Sequence, residues 1–247
     1  MSRDAVTWLG HATVLVELAG ARLLTDPLLR ARVVHLRRRV PPPAPPGPVD
    51  AVLVSHLHRD HLDLPSLRRL DHPGVVIVPR GAAHVVRSLD HDVVEVAAGD
   101  ELDVRGITVR AVEAVHDGRR SPVGRPADAI GFILEQRLRI YFAGDTEMFD
   151  GMASFAPLDV ALLPVWGWGA SLGPGHMDPE QAAAAAVLLQ PRVAVPIHWG
   201  TFAAPRLLRG GGPPNDEPAR RFRAGCAELA PATRVELLRP GESLALT

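Results

Sequence analysis

Ser55-His56-Leu57-His58-Arg59-Asp60-His61 sets three imidazoles and a carboxylate within six residues, directly after the apolar run Ala51-Val52-Leu53-Val54. A run of that kind reads as a buried strand, so four metal-ligand side chains stand at its mouth. His56 and His58 are two apart and project to the same side of extended backbone. Asp60 and His61 follow once the chain has begun to turn, and they reach a second point nearby. Polar groups beside a buried strand are costly unless something satisfies them. The spacing therefore points to metal, and to two ions rather than one, an arrangement suited to hydrolysis.

Three further residues stand where strands end. His116 closes the run from Ile107 to Val115, Asp145 follows Ile140-Tyr141-Phe142-Ala143-Gly144, and His198 follows Val193-Ala194-Val195-Pro196-Ile197. Loops at strand ends on a rigid sheet are where sites gather. Singly, each has an ordinary explanation: a strand-end histidine is commonly a satisfied structural residue, and Asp145 could serve only as a helix cap. Jointly, five histidines and two aspartates recur at equivalent structural positions.

Composition narrows the classes. The chain has 247 residues, 47% hydrophobic and 22% charged, as expected of a soluble globular protein with a substantial core. Residues 1–247 read as one domain. A net charge of −1 argues against an electrostatic grip on nucleic acid or anionic membrane. The single Cys226 excludes an intramolecular disulfide and a thiolate metal cluster; within an expected helix, Pro218 to Leu229, it reads as a small buried hydrophobe. The N-terminal residues do not resemble a signal peptide, and no run approaches the ~18 apolar residues of a membrane span. The expectation is a cytoplasmic enzyme.

Short apolar runs separated by turn residues predict strands at Ala5 to Leu9, Thr13 to Leu18, Arg22 to Thr25, Val75 to Val78, Val93 to Val96 and Glu101 to Arg105. Others follow at Ile107 to Val115, Ala129 to Glu135, Leu138 to Ala143, Val160 to Pro164 and Arg192 to Ile197, with Val235 to Leu238 as the last long one. Helices are predicted at Pro65 to Leu70, Gly81 to Leu89 and Pro179 to Gln190. The last carries Asp178 as N-cap, Pro179 at the first position and Gln181 for a capping box. Between about residues 28 and 48 lies a Pro/Arg-rich surface excursion with Arg30, Arg32, Arg37, Arg38 and Arg39, then six prolines in eight residues. It reads as a solvated face, or as a cover that attracts an anionic substrate. Strands followed by helices in each half suit two packed sheets with helices outside.

His56-x-His58-x-Asp60-His61, then His116, Asp145 and His198, resembles in order the metallo-β-lactamase-fold hydrolases. Supporting segments are Trp8-Leu9-Gly10-His11-Ala12-Thr13, Leu24-Thr25-Asp26-Pro27, His176-Met177-Asp178-Pro179-Glu180 and Ile197-His198-Trp199-Gly200-Thr201. They look closest to the branch of L-ascorbate-6-phosphate lactonase and N-acyl-phosphatidylethanolamine phospholipase D. The resemblance implies an α+β fold, a four-layer αββα sandwich of two mixed β-sheets flanked by helices. It implies that His56, His58 and His116 bind one divalent ion and Asp60, His61 and His198 another, with Asp145 bridging. Imidazoles and carboxylates suit Zn or Mn, with Fe also allowed.

The expected activity is a di-metal hydrolase using a metal-bridging hydroxide on a small phosphate-bearing, phosphodiester or lactone/ester substrate, with Asp60 orienting the nucleophile or shuttling its proton. His176, in the glycine-rich loop Gly167 to Gly175, is the candidate to hold a phosphate or protonate a leaving group beside a helix N-terminus. His11 and Trp199 are further candidate substrate contacts, and Trp166 and Trp168 could add to an apolar wall. His35, His72, His84 and His91 read as surface residues. A nuclease of the same fold and a non-catalytic metal-binding or sensing protein stay as alternatives, and homo-oligomerisation is left open.

Overall fold

Strand parity explains how the layers form. Val52 and Val54 of one strand, with Val76 and Val78 of its neighbour, turn to one apolar cluster, while Ala51, Leu53 and Ile77 turn to another. Alternate residues of a strand face opposite sides, so a continuous apolar run is the mark of a strand covered on both faces. The computed structural model describes residues 4–71, 73–121, 123–167, 172–204 and 215–246; His72 and Trp168 lie outside these.

The first course of the chain comprises β1 (Ala5–Gly10), β2 (Thr13–Leu18), β3 (Ala21–Thr25), β4 (Arg32–Val33), β5 (Leu36–Arg38), β6 (Ala51–Leu53), α1 (Leu64–Leu67), β7 (Val75–Pro79), α2 (Ala83–Val86) and β8 (Val93–Val96). The second runs through β9 (Glu101–Val104), β10 (Ile107–Glu113), β11 (Ile130–Glu135), β12 (Arg139–Phe142), a 3₁₀ turn at Asp150–Phe155, β13 (Leu158–Pro164), α3 (Pro179–Leu189) and β14 (Pro191–Ile197). β15 (Phe202–Ala203), α4 (Glu217–Leu229), β16 (Arg234–Val235) and β17 (Ser243–Ala245) close it.

Two seven-stranded sheets result, ordered β17-β1-β2-β3-β6-β7-β8 and β16-β14-β13-β12-β11-β10-β9. Each is antiparallel at one end and parallel at the other: β3, β6, β7 and β8 run parallel in one sheet, and β12, β13, β14 and β16 in the other. Their facing sides share a core containing Trp8, Phe132 and Phe142, while Tyr141 turns to the other face of its sheet against Phe155, all four essentially without solvent contact. α1 and α2 cover the outer face of the first sheet, and α3 and α4 pack against β13 and β14 of the second. This is the αββα sandwich of two mixed sheets, a metallo-β-lactamase fold.

α3 forms where its caps place it. Asp178 accepts from the backbone N–H of Gln181 at 2.8 Å, and the Gln181 side chain accepts from the N–H of Asp178 at 3.0 Å. Its alanine face is buried, with Ala183 opposite Gly225 of α4. Cys226 is buried there too, where burial pushes its thiol up to about 12.

Three expectations are corrected. Val235 to Leu238 is not a long strand: only Arg234–Val235 pairs with β14, and the final strand is β17, paired with β1. Gly81 to Leu89 forms only the four-residue α2. The excursion is not simply a solvated face. β4 and β5 form a ribbon that β15 extends, over a small core of Leu28, Val33, Leu36 and Phe202. Arg38 turns inward, donating to the carbonyls of Leu9 and Leu28, while Arg32 and Arg37 stay exposed. Among the described residues no helix is long and apolar enough to cross a membrane.

Candidate metal centre

The strand ends meet at one edge of the sandwich, where His56, His61, His116 and His198 are each held through Nδ1. The His116 Nδ1–H donates to the Gly175 carbonyl at 2.7 Å, leaving Nε2 3.1 Å from His58 Nδ1. The Ser55 hydroxyl donates to Asp26 Oδ2 at 2.6 Å, so it accepts from His56 Nδ1 at 3.0 Å. That tautomer leaves a lone pair on His56 Nε2, which is buried without a hydrogen-bond partner. The His198 Nδ1–H donates to the Trp166 carbonyl at 2.7 Å, and the His61 Nδ1–H to Asp26 Oδ2 at 2.7 Å. The Nε2 atoms of His61 and His198 then lie 3.1 Å apart.

Asp145, at the end of β12, faces this assembly. Its Oδ2 is 3.1 Å from His61 Nε2 and 3.4 Å from His176 Nε2, and its Oδ1 is 3.3 Å from His198 Nε2. Oδ1 has no hydrogen-bond partner although it is buried. Buried polar atoms without partners are uncommon and call for an explanation. Cations among these donors would supply it. Donor pairs 3.1 Å apart approach the edge of a tetrahedral site, about 3.4 Å for Zn–N bonds of ~2.1 Å. Ligand atoms of four groups each lie within 4.8 Å of one another: His56, His58 and His116; His11, Asp60, His61 and His198; His56, His61 and Asp145; and His116, Asp145 and His176.

The titration behaviour agrees with neutral imidazole donors around charged carboxylates. Burial pushes His116 down to about 4 and His198 down to about 3, and it lowers His56 and His58. Burial also acts to lower His61, but Asp145 and Asp26 outweigh it and hold that imidazole well above its ordinary value. Burial acts to raise Asp60, yet the hydrogen bond to His11 and the neighbouring imidazoles hold it well below the usual carboxylate range. Asp145 is likewise held low against burial, chiefly by His198 and His61. Without a cation, the two imidazoles with raised values, His61 and His176, both face Asp145 Oδ2.

Backbone strain gathers at the same place. His11, Asp26 and His198 have φ of +57°, +33° and +64°, a region that a β-carbon disfavours and that clusters at functional sites.

Residues 21–199 match the family described as a beta-lactamase superfamily domain. A UPF0173 metal-dependent hydrolase of Methanopyrus kandleri is 31% identical over 249 residues, covering 96% of this chain and 98% of that one. The chain belongs to the UPF0173 family of metal-dependent hydrolases. An uncharacterized protein of Mycobacterium tuberculosis is 35% identical to this UPF0173 member over 222 residues, 81% of the chain and 60% of the relative. The chain thus spans about 60% of that relative's length. Igni18, a metallo hydrolase from Ignicoccus hospitalis, shares its fold with a TM-score of 0.71 at 22% identity, covering 100% of the chain and 99% of its own.

In this UPF0173 chain the seven residues His56, His58, Asp60, His61, His116, Asp145 and His198 come together, and His176 joins them. The His176 ring lies 4.8 Å from that of His116 and its side chain is 22% exposed. Burial acts to lower it, but Asp145 outweighs that and raises it. The N-terminus of α3 is already capped by the Asp178 carboxylate. His11 is buried within the cluster of Asp60, His61 and His198. Trp199 is buried against Trp8, its indole donating to the Pro196 carbonyl, and both line an apolar cavity of about 680 Å³ with Val40, Pro41 and Leu238. His84 and His91 bond to the carbonyls of Gly81 and Leu67, away from the site, and His35 is exposed. The residue that the sequence did not single out for the site is Asp26; the segment Leu24-Thr25-Asp26-Pro27, which carries part of the family likeness, was its signal.

Proposed function

We propose that the chain is a two-metal hydrolase of a small phosphate-bearing, phosphodiester or lactone/ester substrate. One observation carries this reading: the Asp145 carboxylate faces donors of both clusters, grouping with His56 and His61 on one side and with His116 and His176 on another. His56, His58 and His116 would hold one cation, Asp60, His61 and His198 the other, and Asp145 would touch both. Bound there, two divalent ions supply Lewis acidity toward a phosphoryl or carbonyl oxygen and bring the pKa of water toward neutrality. The imidazole and carboxylate donors suit Zn, Mn or Fe.

The chain's own groups do the rest. Asp26, with the carbonyls of Trp166 and Gly175, fixes the ring orientation and tautomer of the donors. Asp60 is 17% exposed against 2% for Asp145, so it is the carboxylate that solvent and substrate reach. Its place beside the second cluster fits it to orient water and take its proton. His176 turns Nδ1 to the carbonyls of Gly173 and Pro174 and Nε2 toward Asp145. From that position its Nε2 is placed to meet a leaving group or an anionic substrate oxygen.

The test is to load the purified chain with Zn or Mn and assay bis(p-nitrophenyl) phosphate and a panel of lactones. Metal-dependent turnover is expected, and Asp145→Ala should lose metal together with activity. Two tightly held metals with no turnover of any ester would replace this reading with a metal-binding or sensing protein. Full two-metal occupancy of Asp145→Ala by elemental analysis would remove Asp145 from the bridge.

A further inference from the structure

We propose that His11, in the turn between β1 and β2, is a fourth protein ligand of the second cation position, beside Asp60, His61 and His198. This rests on the two-cation reading above and adds a donor that the His-x-His-x-Asp-His pattern does not contain. One ligand atom each of His11, Asp60, His61 and His198 lies within 4.8 Å of the others, and His11 Nε2 is 3.1 Å from Asp60 Oδ2. The His11 ring stands 4.0 Å from that of His198, centroid to centroid.

The backbone around His11 is built to hold that ring. Its N–H donates to Thr201 Oγ1 at 2.8 Å, and its carbonyl accepts from the Trp8 indole at 2.8 Å and from the His198 N–H at 2.9 Å. The residue is 2% exposed and sits at φ +57°. Glycine would occupy such a turn without strain, as Gly10 does beside it at φ +104°. A buried histidine in that conformation is explained by what its side chain meets. The bond from His198 also ties a turn of the first sheet to the end of β14 in the second, so the two rings are placed together. With His11 the second position has four side chains of its own against three for the first.

A simpler role is that His11 only donates a hydrogen bond that aims Asp60. The two roles separate by substitution. Asparagine tolerates positive φ but is shorter than the imidazole, and glutamine keeps an N–H for Asp60 without an imidazole donor. The full-length chain, stripped of metal and titrated with Zn(II) in competition with a chromophoric chelator, is expected to bind two equivalents. His11→Asn and His11→Gln should both keep one equivalent at wild-type affinity and weaken the other by more than the roughly 10- to 100-fold that loss of an outer hydrogen-bond partner costs. In the wild-type chain the ring ¹⁵N signal of His11 should shift when the second equivalent is added, a readout that needs no variant to fold. Two wild-type affinities in His11→Gln, or an unmoved ring signal, would overturn the proposal and leave the two-cation reading intact. Fewer than two equivalents in the wild-type chain would overturn both.

Discussion

Asp26 shows how much one side chain contributes through another. Its two oxygens accept from the Ser55 N–H at 2.7 Å, the Ser55 hydroxyl at 2.6 Å and His61 Nδ1 at 2.7 Å, in full burial. An outer carboxylate of this kind sets the tautomer of a metal-binding imidazole and raises its basicity. Asparagine would accept the φ of +33°, so Asp26→Asn isolates the charge. It is expected to fold, to lower metal affinity about 10- to 100-fold by chelator competition, and to lower the pKa of His61 by NMR titration. An unchanged affinity would reduce Asp26 to a strand stop. In the sequence Asp26 stood only within a segment of family likeness, because it lies 35 residues from its histidine and no local pattern shows that pairing.

Among the elements, α3 was the most legible, because a cap acts within four residues of itself. Asp178, Pro179 and Gln181 predict its start, and the reciprocal bonds form as predicted. Asp178→Ala should lower unfolding free energy by about 1 kcal/mol in urea titrations while leaving metal stoichiometry unchanged, since Asp178 touches no donor. A loss of metal would mean that the cap also holds the His176 loop in place. The segment at 28–48 was less legible. Proline content and charge predicted exposure, yet β4 and β5 find a partner in β15, more than 160 residues onward in sequence. β17 escaped for the same reason: a three-residue strand such as Ser243–Ala245 has too little pattern to declare itself and is defined by pairing with β1.

For the molecule as a whole, the buried imidazoles set a pH profile. An unfolded histidine takes its proton near ~6.5, whereas His116 waits until about 4 and His198 until about 3. Over that window the unfolded state binds more protons, so stability of the metal-free chain falls as pH falls. His61 and His176 have the opposite sign: their raised values give stability that is full below ~6.5 and lost as pH rises through their folded values. Metal-free protein should therefore resist urea best near neutrality and show a falling midpoint toward pH 4. A flat midpoint across that range would mean that the imidazoles are not held neutral. Metal should deepen the dependence, because binding displaces the proton of His61.

Seven ligand-type residues, their order along the chain and their place at strand ends were readable from the sequence alone. Apolar runs, turn residues and caps are local signals, and seven ligand-type residues at the ends of such runs leave few chemistries open. The sharing of donors was decided by tertiary structure. His61 meets His198 across 137 residues because two sheets pack face to face, and His11 meets Asp60 across 49 because the β1–β2 turn and the loop after β6 lie at the same end of one sheet. The same packing turned His11 from a loop histidine into a buried neighbour of the second cluster, because burial and convergence belong to the folded chain and have no period in the sequence.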